Sequence, residues 1–348
     1  MKRCLAYSLI ATALCVSPVM AQAGGRGFPL QVASTTVVGE EAEFASIVAA
    51  TVSPSGVVYV VDYMNCTVSA FSPEGRMLWR VGRKGQGPGE YQLPYRVAAA
   101  PDGSVLIFDL ATNDVTTLSR DGRVLGRVRL PFKFPYVDDI VATASELLIS
   151  GYTPTGQARS HGIHRFRRNA TGLAYAGSFA PLPTVRDTAI RRYWGAGDIS
   201  RAGNGDLLYA LNLPYILYRY DGAGRLKATI RPPIRVRGTP DDAVRIERNG
   251  RQTAISAGEE VDRPSTVVEV MGGRLLVSRI TPRGSYWDAF ASSGAYVGSR
   301  EFPKDWGAAV GFDSARNILW MVGTQDDVPV LMRVQITLGT SRPQARIQ

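Results

Sequence analysis

Short apolar runs separated by Gly-containing turns recur along the chain. An apolar run that begins with Gly and ends with Asp spans residues 56–62, and an alternating segment with a Gly-Arg turn at 75–76 follows it. The same pattern returns 47 residues later, at 103–109 and 122–123, and weaker copies lie around positions 147, 205, 273 and 318. A repeat of about 40 to 55 residues with this content predicts four antiparallel strands per unit.

The second strand of each unit is apolar on both faces, which is typical of a sheet covered by neighbours on both sides. Such sheets bury both faces when they pack radially, and only short edges stay exposed. We count six units, with inner strands near Ile47, Val97, Ile140, Ile199, Val267 and Val310. The sequence therefore predicts an all-β fold, a six-bladed β-propeller of four-stranded antiparallel blades.

The two ends of the repeat region predict how the ring closes. Residues 30–38 have a strand pattern and precede the first inner strand, whereas the sixth unit supplies three strands and ends at 338. We expect the N-terminal strand to complete the last blade, so that the propeller spans 28–338 and 339–348 is a polar tail. Within the fourth blade-to-blade link, residues 240–249 follow the N-cap candidate Thr239 and predict one short helix.

Residues 1–23 have the pattern of a secretory signal peptide. Lys2 and Arg3 precede an apolar run at 4–20, and the A-x-A sequence at 21–23 is a cleavage site. An uncleaved anchor is the alternative, but the run has about 17 residues and includes polar ones, whereas a span needs ~20. We expect the leader to be removed and the protein to be exported, periplasmic or secreted, without a stable membrane span.

Composition excludes several classes of site. Of the 3 Cys only Cys66 lies outside the leader, which excludes an intramolecular disulfide in the mature chain. The 2 His, at 161 and 164, exclude a Zn site built on three imidazoles. No G-x-S-x-G motif occurs, which argues against a serine hydrolase. The net charge of +10 does not predict a nucleic-acid partner, because the chain is exported and its Arg residues are dispersed.

The residues from 79 to 109 carry a resemblance to a known family. The run Trp-Arg-Val-Gly-Arg-Lys-Gly-Gln-Gly-Pro-Gly-Glu-Tyr-Gln-Leu-Pro at 79–94, followed by the repeat pattern at 97–109, resembles bacterial exported six-bladed β-propeller proteins of the NHL-repeat type. The resemblance is close over about 44–131 and architectural elsewhere. It implies the fold and leaves the function open, because that group includes lactonases, lyases, and protein or RNA binders.

The lactonase relatives hold a metal ion with carboxylate and amide oxygens near the axis. If this chain is such an enzyme, the resemblance implies a Ca²⁺ site, for which the candidate ligands are Asp138, Asp139, Asp187 and Asp198. Two other carboxylates, Asp62 and Asp109, match the Asp of the repeat itself. We expect these two to brace the loop after their strand by accepting backbone hydrogen bonds.

Because strand direction alternates, the long blade-to-blade links gather on one face of the propeller, the link-loop face. These links combine basic and aromatic side chains, and the candidate ligand-binding residues are Arg83, Lys84, Arg96, Tyr136, Arg192, Tyr193, Trp194, Arg283 and Trp306. Arg pairs with carboxylate or phosphate, and flat rings cover sugar or peptide faces.

The first hypothesis is a monomeric binding module, without catalytic residues, for an anionic or extended ligand such as an acidic glycan, a peptide, a protein or a lipid headgroup. A plain solvated surface with blade-capping aromatics is the alternative for these residues. The alternative function is a Ca²⁺-dependent, lactonase-like hydrolase or lyase with its site at the central channel.

Overall fold

The structure is a computed structural model that describes residues 28–169, 172–185, 187, 190, 197–234, 244–249, 252–257 and 262–339. The predicted signal peptide and all but the first residue of the predicted polar tail lie outside these ranges. The described chain forms six four-stranded antiparallel sheets whose first strands contact one another around a ring. The predicted six-bladed β-propeller is therefore confirmed.

Each blade is a four-stranded meander that runs outward from the axis. Blade 1 contains β2 (Ile47–Val52), β3 (Val58–Asp62), β4 (Thr67–Phe71) and β5 (Met77–Val81). Blade 2 contains β6 (Pro94–Ala99), β7 (Val105–Asp109), β8 (Asp114–Leu118) and β9 (Val124–Arg129). Blade 3 contains β10 (Tyr136–Ala142), β11 (Glu146–Tyr152), β12 (His161–Asn169) and β13 (Gly172–Pro181).

Blades 4 to 6 repeat this order. Blade 4 contains β14 (Gly197–Arg201), β15 (Leu207–Leu211), β16 (Ile216–Tyr220) and β17 (Leu226–Ile230). Blade 5 contains β20 (Arg263–Val270), β21 (Arg274–Thr281), β22 (Gly284–Phe290) and β23 (Tyr296–Phe302). Blade 6 contains β24 (Ala308–Asp313), β25 (Ile318–Gln325), β26 (Val328–Leu338) and, from the other end of the chain, β1 (Leu30–Val38).

The N-terminal strand closes the ring, as predicted. β1 pairs antiparallel with β26, with Leu30 opposite Leu338 and Val38 opposite Leu331. Leu30 is buried against the apolar side chains of blades 5 and 6. The first and last strands of the propeller therefore share one sheet, so the ring cannot open without breaking this pairing.

The hydrophobic core lies between neighbouring blades. Every residue of β3, β7 and β15 is buried, which explains why the second strands are continuously apolar in the sequence. In the layer between blades 1 and 2, Tyr59 and Val61 pack against Val105 and Ile107. Outer strands such as β5 instead alternate between half-buried and exposed positions, because one of their faces meets solvent.

The inner strands are irregular where they begin. Five of the six, all except β14, shift register against the second strand within their first four residues. Such bulges bend a strand and re-aim its side chains. In β14 the first residue, Gly197, has φ +139°, and a Cβ atom there would lie 2.1 Å from the carbonyl oxygen of Ala210. Only glycine therefore lets β14 begin so close to β15.

The predicted helix at 240–249 is wrong for the residues that the structure describes. Val244–Asn249 forms strand β18, which pairs antiparallel with β19 (Gln252–Ala257) in a two-stranded hairpin. The segment Val-Arg-Ile-Glu-Arg-Asn alternates with period two and contains β-branched residues, which favours a strand over a helix. Short 3-10 helices lie at Glu40–Ala42, Gly156–Ser160, Met271–Gly273 and Lys304–Trp306, and the described ranges hold no membrane-spanning helix.

Candidate functional site

A channel of about 1020 Å³ runs along the propeller axis, lined by the inner strand of every blade. Each inner strand runs from its link loop towards a tight turn, so its first residues lie at the link-loop end of the channel. At that end the wall includes Arg96, Asp138, Asp139 and Asp198. The channel is the concave surface on which a ligand site is expected, and its link-loop end holds a concentration of charged groups.

Arg96 joins three blades at this end. Its Nη1 atom donates to the carbonyl oxygen of Tyr95 at 2.8 Å and to that of Val48 in blade 1 at 3.4 Å. Its Nε atom donates to the carbonyl oxygen of Asp138 in blade 3. The guanidinium carbon also lies 4.1 Å from the centre of the Tyr95 ring, a cation–π contact. The side chain is therefore fixed in place before any ligand arrives.

The hydrogen bonding continues through blades 4 and 5. The carboxyl groups of Asp139 in blade 3 and Asp198 in blade 4 line the same channel end and lie close enough for the charge of Asp139 to raise the pKa of Asp198. The backbone N–H of Val267 in blade 5 donates to Oδ2 of Asp198 at 2.8 Å. We call the contacts from Val48 through Arg96, Asp138, Asp139 and Asp198 to Val267 the polar belt. It connects the inner strands of blades 1 to 5.

The carboxyl groups of Asp139 and Asp198 have pKa values above that of a free Asp side chain. Burial raises the pKa of Asp139 to about 7, against the opposing effect of the positive charge of Arg96. Burial and the nearby charge of Asp139 raise the pKa of Asp198 well above its ordinary value. Two like charges close together disfavour double ionisation. Burial and mutual repulsion therefore both favour a protonated carboxyl in this pair.

Aromatic rings flank the charged groups. Tyr136, the first residue of β10, meets Tyr95 edge to face with ring centroids 6.4 Å apart. Burial, reinforced by the charge of Asp138, raises the pKa of Tyr136 above its ordinary value. Its phenol is therefore protonated at neutral pH.

A second polar contact reaches the belt from blade 4. The side-chain amide of Asn212, directly after β15, donates to Oδ1 of Asp138 at 3.0 Å. Tyr209 of β15 is buried, and burial with the charge of Asp138 raises its pKa well above the ordinary value. The amide of Asn212 therefore helps to orient the carboxylate of Asp138.

The carboxylates do not form a recognisable metal centre. Within the described ranges, no three side chains of His, Cys, Asp or Glu come together in a way that could hold a metal ion. Asp187 is paired elsewhere, with Arg248 of the β18–β19 hairpin. Of the four candidate Ca²⁺ ligands, three therefore line the same channel end and the fourth pairs with a link residue, and the Ca²⁺ site stays a prediction.

Of the predicted ligand-binding residues, the structure brings Arg96 and Tyr136 together at the channel end. Arg83 is 80% exposed and paired with Glu90 at 2.6 Å, and Lys84 is exposed beside it. Arg83 and Lys84 therefore lie on the outer part of a link, away from the residues that line the channel.

Two further predicted residues also lie apart from the channel end. Arg283 is exposed in the turn between β21 and β22. Trp306 is half-buried and packs on Trp287, with ring centroids 5.9 Å apart, as a cap on blade 5. The predicted residues Arg192, Tyr193 and Trp194 lie outside the described residues.

Sequence reasoning missed Asn212, Tyr209 and the backbone of Val267. One signal was present for Asn212. In blades 1 and 2 the second strand ends on a polar residue, Asp62 or Asp109, whereas in blade 4 the polar residue comes one position later, after Leu211. A repeat alignment that allowed this one-residue shift would have placed Asn212 on the link-loop face.

The carboxylates of the repeat have the bracing role predicted for them. Oδ2 of Asp109 accepts from the backbone N–H groups of Gln92 (2.7 Å) and Leu93 (3.1 Å), and Oδ1 accepts from that of Ala111 (3.0 Å). Asp62 accepts the same kind of bonds in blade 1. Each carboxylate therefore fixes both the loop after its own strand and the link that precedes the inner strand.

The Cys and His side chains are part of the packed structure. Cys66 is buried between β3 and β4, where its Sγ donates to the carbonyl oxygen of Tyr63 at 3.4 Å and burial raises its pKa. His164 is fully buried among the rings of Phe132 and Phe134. Burial lowers the pKa of His164 to about 4, so this ring is neutral at pH 7.

Comparisons with known proteins support the fold. No protein-family model matches the chain, and no curated protein matches it significantly. Among solved structures, a member of the DUF4221 family from Bacteroides vulgatus has a TM-score of 0.56 at 9% identity, over 89% of this chain and 99% of that one.

Two more structures have a TM-score of 0.54 at 11% identity. One is a protein named as exported, from Bacteroides fragilis, with 89% of this chain and 96% of that one covered. The other is a streptogramin B lyase, with 91% of this chain and 100% of that one covered. At such identities the likeness shows that the chain has a propeller fold, and nothing about its ligand or activity.

Proposed function

We propose that this protein is an exported, monomeric propeller of the NHL-repeat type that acts as a binding module. Its site is the link-loop end of the channel, and its ligand is anionic or extended. The observation that carries this proposal is the convergence of a fixed guanidinium, two carboxyl groups whose pKa values are raised, and tyrosine rings at one end of an axial channel.

Among glycan, peptide and lipid headgroup, the chemistry of the channel end favours an acidic glycan. A protonated carboxyl donates a hydrogen bond and its ionised partner accepts one, so Asp139 and Asp198 together match a sugar hydroxyl. Arg96 supplies a positive charge for a carboxylate on the sugar, and Tyr136 supplies a ring. A lipid headgroup uses few of these hydroxyl-matching groups.

The links around the channel end extend this surface for a longer ligand. The sequence places Arg192, Tyr193 and Trp194 in the link between blades 3 and 4, the two blades whose inner strands carry Asp139 and Asp198. Basic and aromatic side chains there suit further sugar units of the same polymer.

The test is a glycan array that includes oligouronides, followed by calorimetry with an oligogalacturonate. Tyr136→Ala and Arg192→Ala are expected to weaken binding at least tenfold. The matched control is Arg225→Ala, since Arg225 is 82% exposed in a tight turn on the opposite face. No binding of any acidic glycan by the wild type, or equal affinity of all four proteins for the oligogalacturonate, would reject the proposal.

A second candidate is a hydrolase or lyase whose site is the same channel. The carboxyl pair favours it, because a carboxyl with a pKa near 7 suits a general acid or base. The Ca²⁺ dependence expected from the resemblance finds no support in the donor geometry of the described residues, so we assign no step to a metal. Turnover of a lactone panel, followed by pH-stat with and without Ca²⁺, tests this candidate. Turnover that Asp139→Asn abolishes would favour it over the binding module.

A further inference from the structure

Two buried hydroxyl groups in the channel wall have no hydrogen-bond partner among the residues that the structure describes. They are Oγ of Ser200, in β14 of blade 4, and Oγ1 of Thr266, in β20 of blade 5. A buried hydroxyl without a partner costs free energy, because the bonds that it makes to water in the unfolded chain are lost. Two such groups in one channel wall therefore indicate a surface that exchanges hydrogen bonds with a bound molecule.

Ser200 lies one layer of side chains deeper in the channel than the polar belt. Side chains alternate along a strand, so Ser200 shares a face of β14 with Asp198, which is two residues nearer the link-loop end. Oδ2 of Asp198 accepts from the N–H of Val267 in β20, whereas Ile199 packs on Leu148 of blade 3. The hydroxyl of Ser200 is therefore on the side of β14 that faces blade 5.

Thr266 lies on the other side of β20. Val267 packs on Leu208 of blade 4, so the preceding side chain points towards blade 6. The residue opposite Thr266 in β21 is Ser278, whose Oγ accepts from the N–H of Ala309 in blade 6 at 3.4 Å. The two unpartnered hydroxyls therefore flank the inner edge of β20, and both residues line the channel.

The opposite wall of the channel is small and apolar. In a ring of six blades, blades 1 and 2 lie opposite blades 4 and 5. Their inner strands contribute Ala49, Ala50, Ala98 and Ala99 to the wall. The channel therefore presents hydroxyls on one side and small C–H surfaces on the other. A sugar ring has the matching chemistry, since its hydroxyls lie around its edge and its faces carry C–H groups.

The described channel wall contains two cations, and neither is directed towards these hydroxyls. Arg96 is bonded at the polar belt. The guanidinium of Arg201 lies beside the turn at Gly205, where a Cβ atom would be 3.4 Å from its Nη2 atom. A carboxylate on a sugar bound at the hydroxyls would be desolvated without a positive partner, which is costly. This part of the channel therefore suits a neutral sugar.

We propose that Ser200 and Thr266 form an inner subsite for a neutral sugar at the end of an acidic glycan. The proposal rests on the proposed binding function, in which Arg96 at the polar belt pairs with the carboxylate of a uronate. The inner strands of all six blades surround the axis, so a glycan reaches this subsite end first. The class of ligand is therefore a chain whose terminal unit is neutral and whose next unit is a uronate.

Calorimetry with three disaccharides tests the subsite. The probes are digalacturonate and the two disaccharides in which galactose replaces one or the other galacturonate unit, so each mixed probe has one carboxylate fewer. At least one mixed disaccharide is expected to bind the wild type at least tenfold tighter than digalacturonate. Equal or weaker binding of both mixed disaccharides would overturn the subsite.

Variants of the two hydroxyls test whether they are the source of this preference. Ser200→Ala/Thr266→Val removes both hydroxyls and nearly keeps the shapes of the side chains, so it is expected to lose the tenfold preference. The matched control is Ser69→Ala/Thr116→Val, because Ser69 and Thr116 are buried hydroxyl residues in the third strands of blades 1 and 2. The control is expected to keep the preference. An undiminished preference in Ser200→Ala/Thr266→Val would overturn the proposal.

A measurement without ligand tests the premise that the two hydroxyls lack partners. Removing an unpartnered buried hydroxyl breaks no bond in the folded protein, so Ser200→Ala/Thr266→Val is expected to be at least as stable as the wild type in urea denaturation. A loss of stability greater than that of the control variant would show that the hydroxyls are bonded within the protein, and would overturn the proposal.

The outcomes for the subsite and for the proposed function are distinguishable. No binding of any acidic glycan by the wild type would reject the binding function and the subsite together. Binding of digalacturonate without a preference for a mixed disaccharide would reject the subsite alone.

Discussion

The carboxyl pair predicts how the stability of the propeller depends on pH. A folded state that binds a proton more tightly than the unfolded chain loses stability as the pH rises between the two pKa values. For Asp139 these values are 3.8 in the unfolded chain and about 7 in the folded protein. Its stabilising effect is therefore fully present below about pH 4 and is lost as the pH rises to 7.

The size of this effect follows from the shift. Each pKa unit corresponds to about 1.4 kcal/mol, so a shift of about three units amounts to roughly 4 kcal/mol in the free energy of unfolding. The raised pKa of Asp198 adds a further loss at higher pH. Against a total stability of about 5–15 kcal/mol for a native protein, a loss of this size is easily measured.

Urea denaturation followed by the fluorescence of the 5 Trp residues provides the assay. Between pH 4.5 and pH 8 the wild type is expected to lose at least about 3 kcal/mol more stability than Asp139→Asn/Asp198→Asn, because the variant has no carboxyl in the pair to titrate and part of the effect is already lost at pH 4.5. The comparison cancels the titration of every other group. Parallel profiles for the two proteins would show that both carboxyls ionise in the ordinary range, and would refute the argument from burial.

Three further predictions concern the ring itself. Leu30→Ala empties a buried position in the closure strand and is expected to cost about 2–5 kcal/mol in urea denaturation, and an unchanged midpoint would contradict the closure. Gly307→Ala is expected to lower the melting temperature by several degrees, because φ is +61° and the new Cβ atom would lie 2.0 Å from a backbone oxygen of β25. The control Gly126→Ala is expected to leave the melting temperature unchanged, because no atom lies within 4 Å of the new Cβ atom. Arg279→Met leaves the buried carboxylate of Asp288 without its partner at 2.7 Å and is expected to cost about 3–5 kcal/mol, so wild-type stability would show that this charge is compensated elsewhere.

The blades were predictable because packing between blades constrains each second strand at every position. In β7 all five residues are buried, so each must be apolar or, as with Asp109, fully hydrogen-bonded. That constraint leaves a pattern that a single sequence can show. The strand at 30–38 was found for the same reason, since its ends are buried in the last blade.

The hairpin in the fourth link shows where local signals mislead. Thr239 and the acidic residues that follow have the composition of a helix start, whereas the alternation from Val244 to Asn249 has the period of a strand. Two neighbouring patterns of similar strength compete in such a short segment. The pairing of β18 with residues 252–257 favours the strand, and an N-cap pattern carries no information about this pairing.

The carboxyl pair was out of reach for a different reason. Asp139 and Asp198 appeared among the candidate metal ligands, but nothing in the sequence shows that they touch, since they lie on different blades. The weak copies of the repeat around blades 3 and 4 also do not fix which residue begins each inner strand. The bulge between Val137 and Asp139 shifts the register there by one position, which decides which side chains face the channel.

The contrast between these cases has one physical origin. In a propeller, the faces of the blades are buried against each other, so residues on these faces are restricted to side chains that fit against the neighbouring blade. The first residues of the inner strands instead surround an open channel, where packing leaves polar side chains free to vary. Radial symmetry brings these unconstrained positions together from separate blades, and the polar belt arises from that convergence. Functional polar side chains in this fold therefore lie at positions where the sequence follows the repeat pattern least closely. Those positions are found from the geometry of the ring.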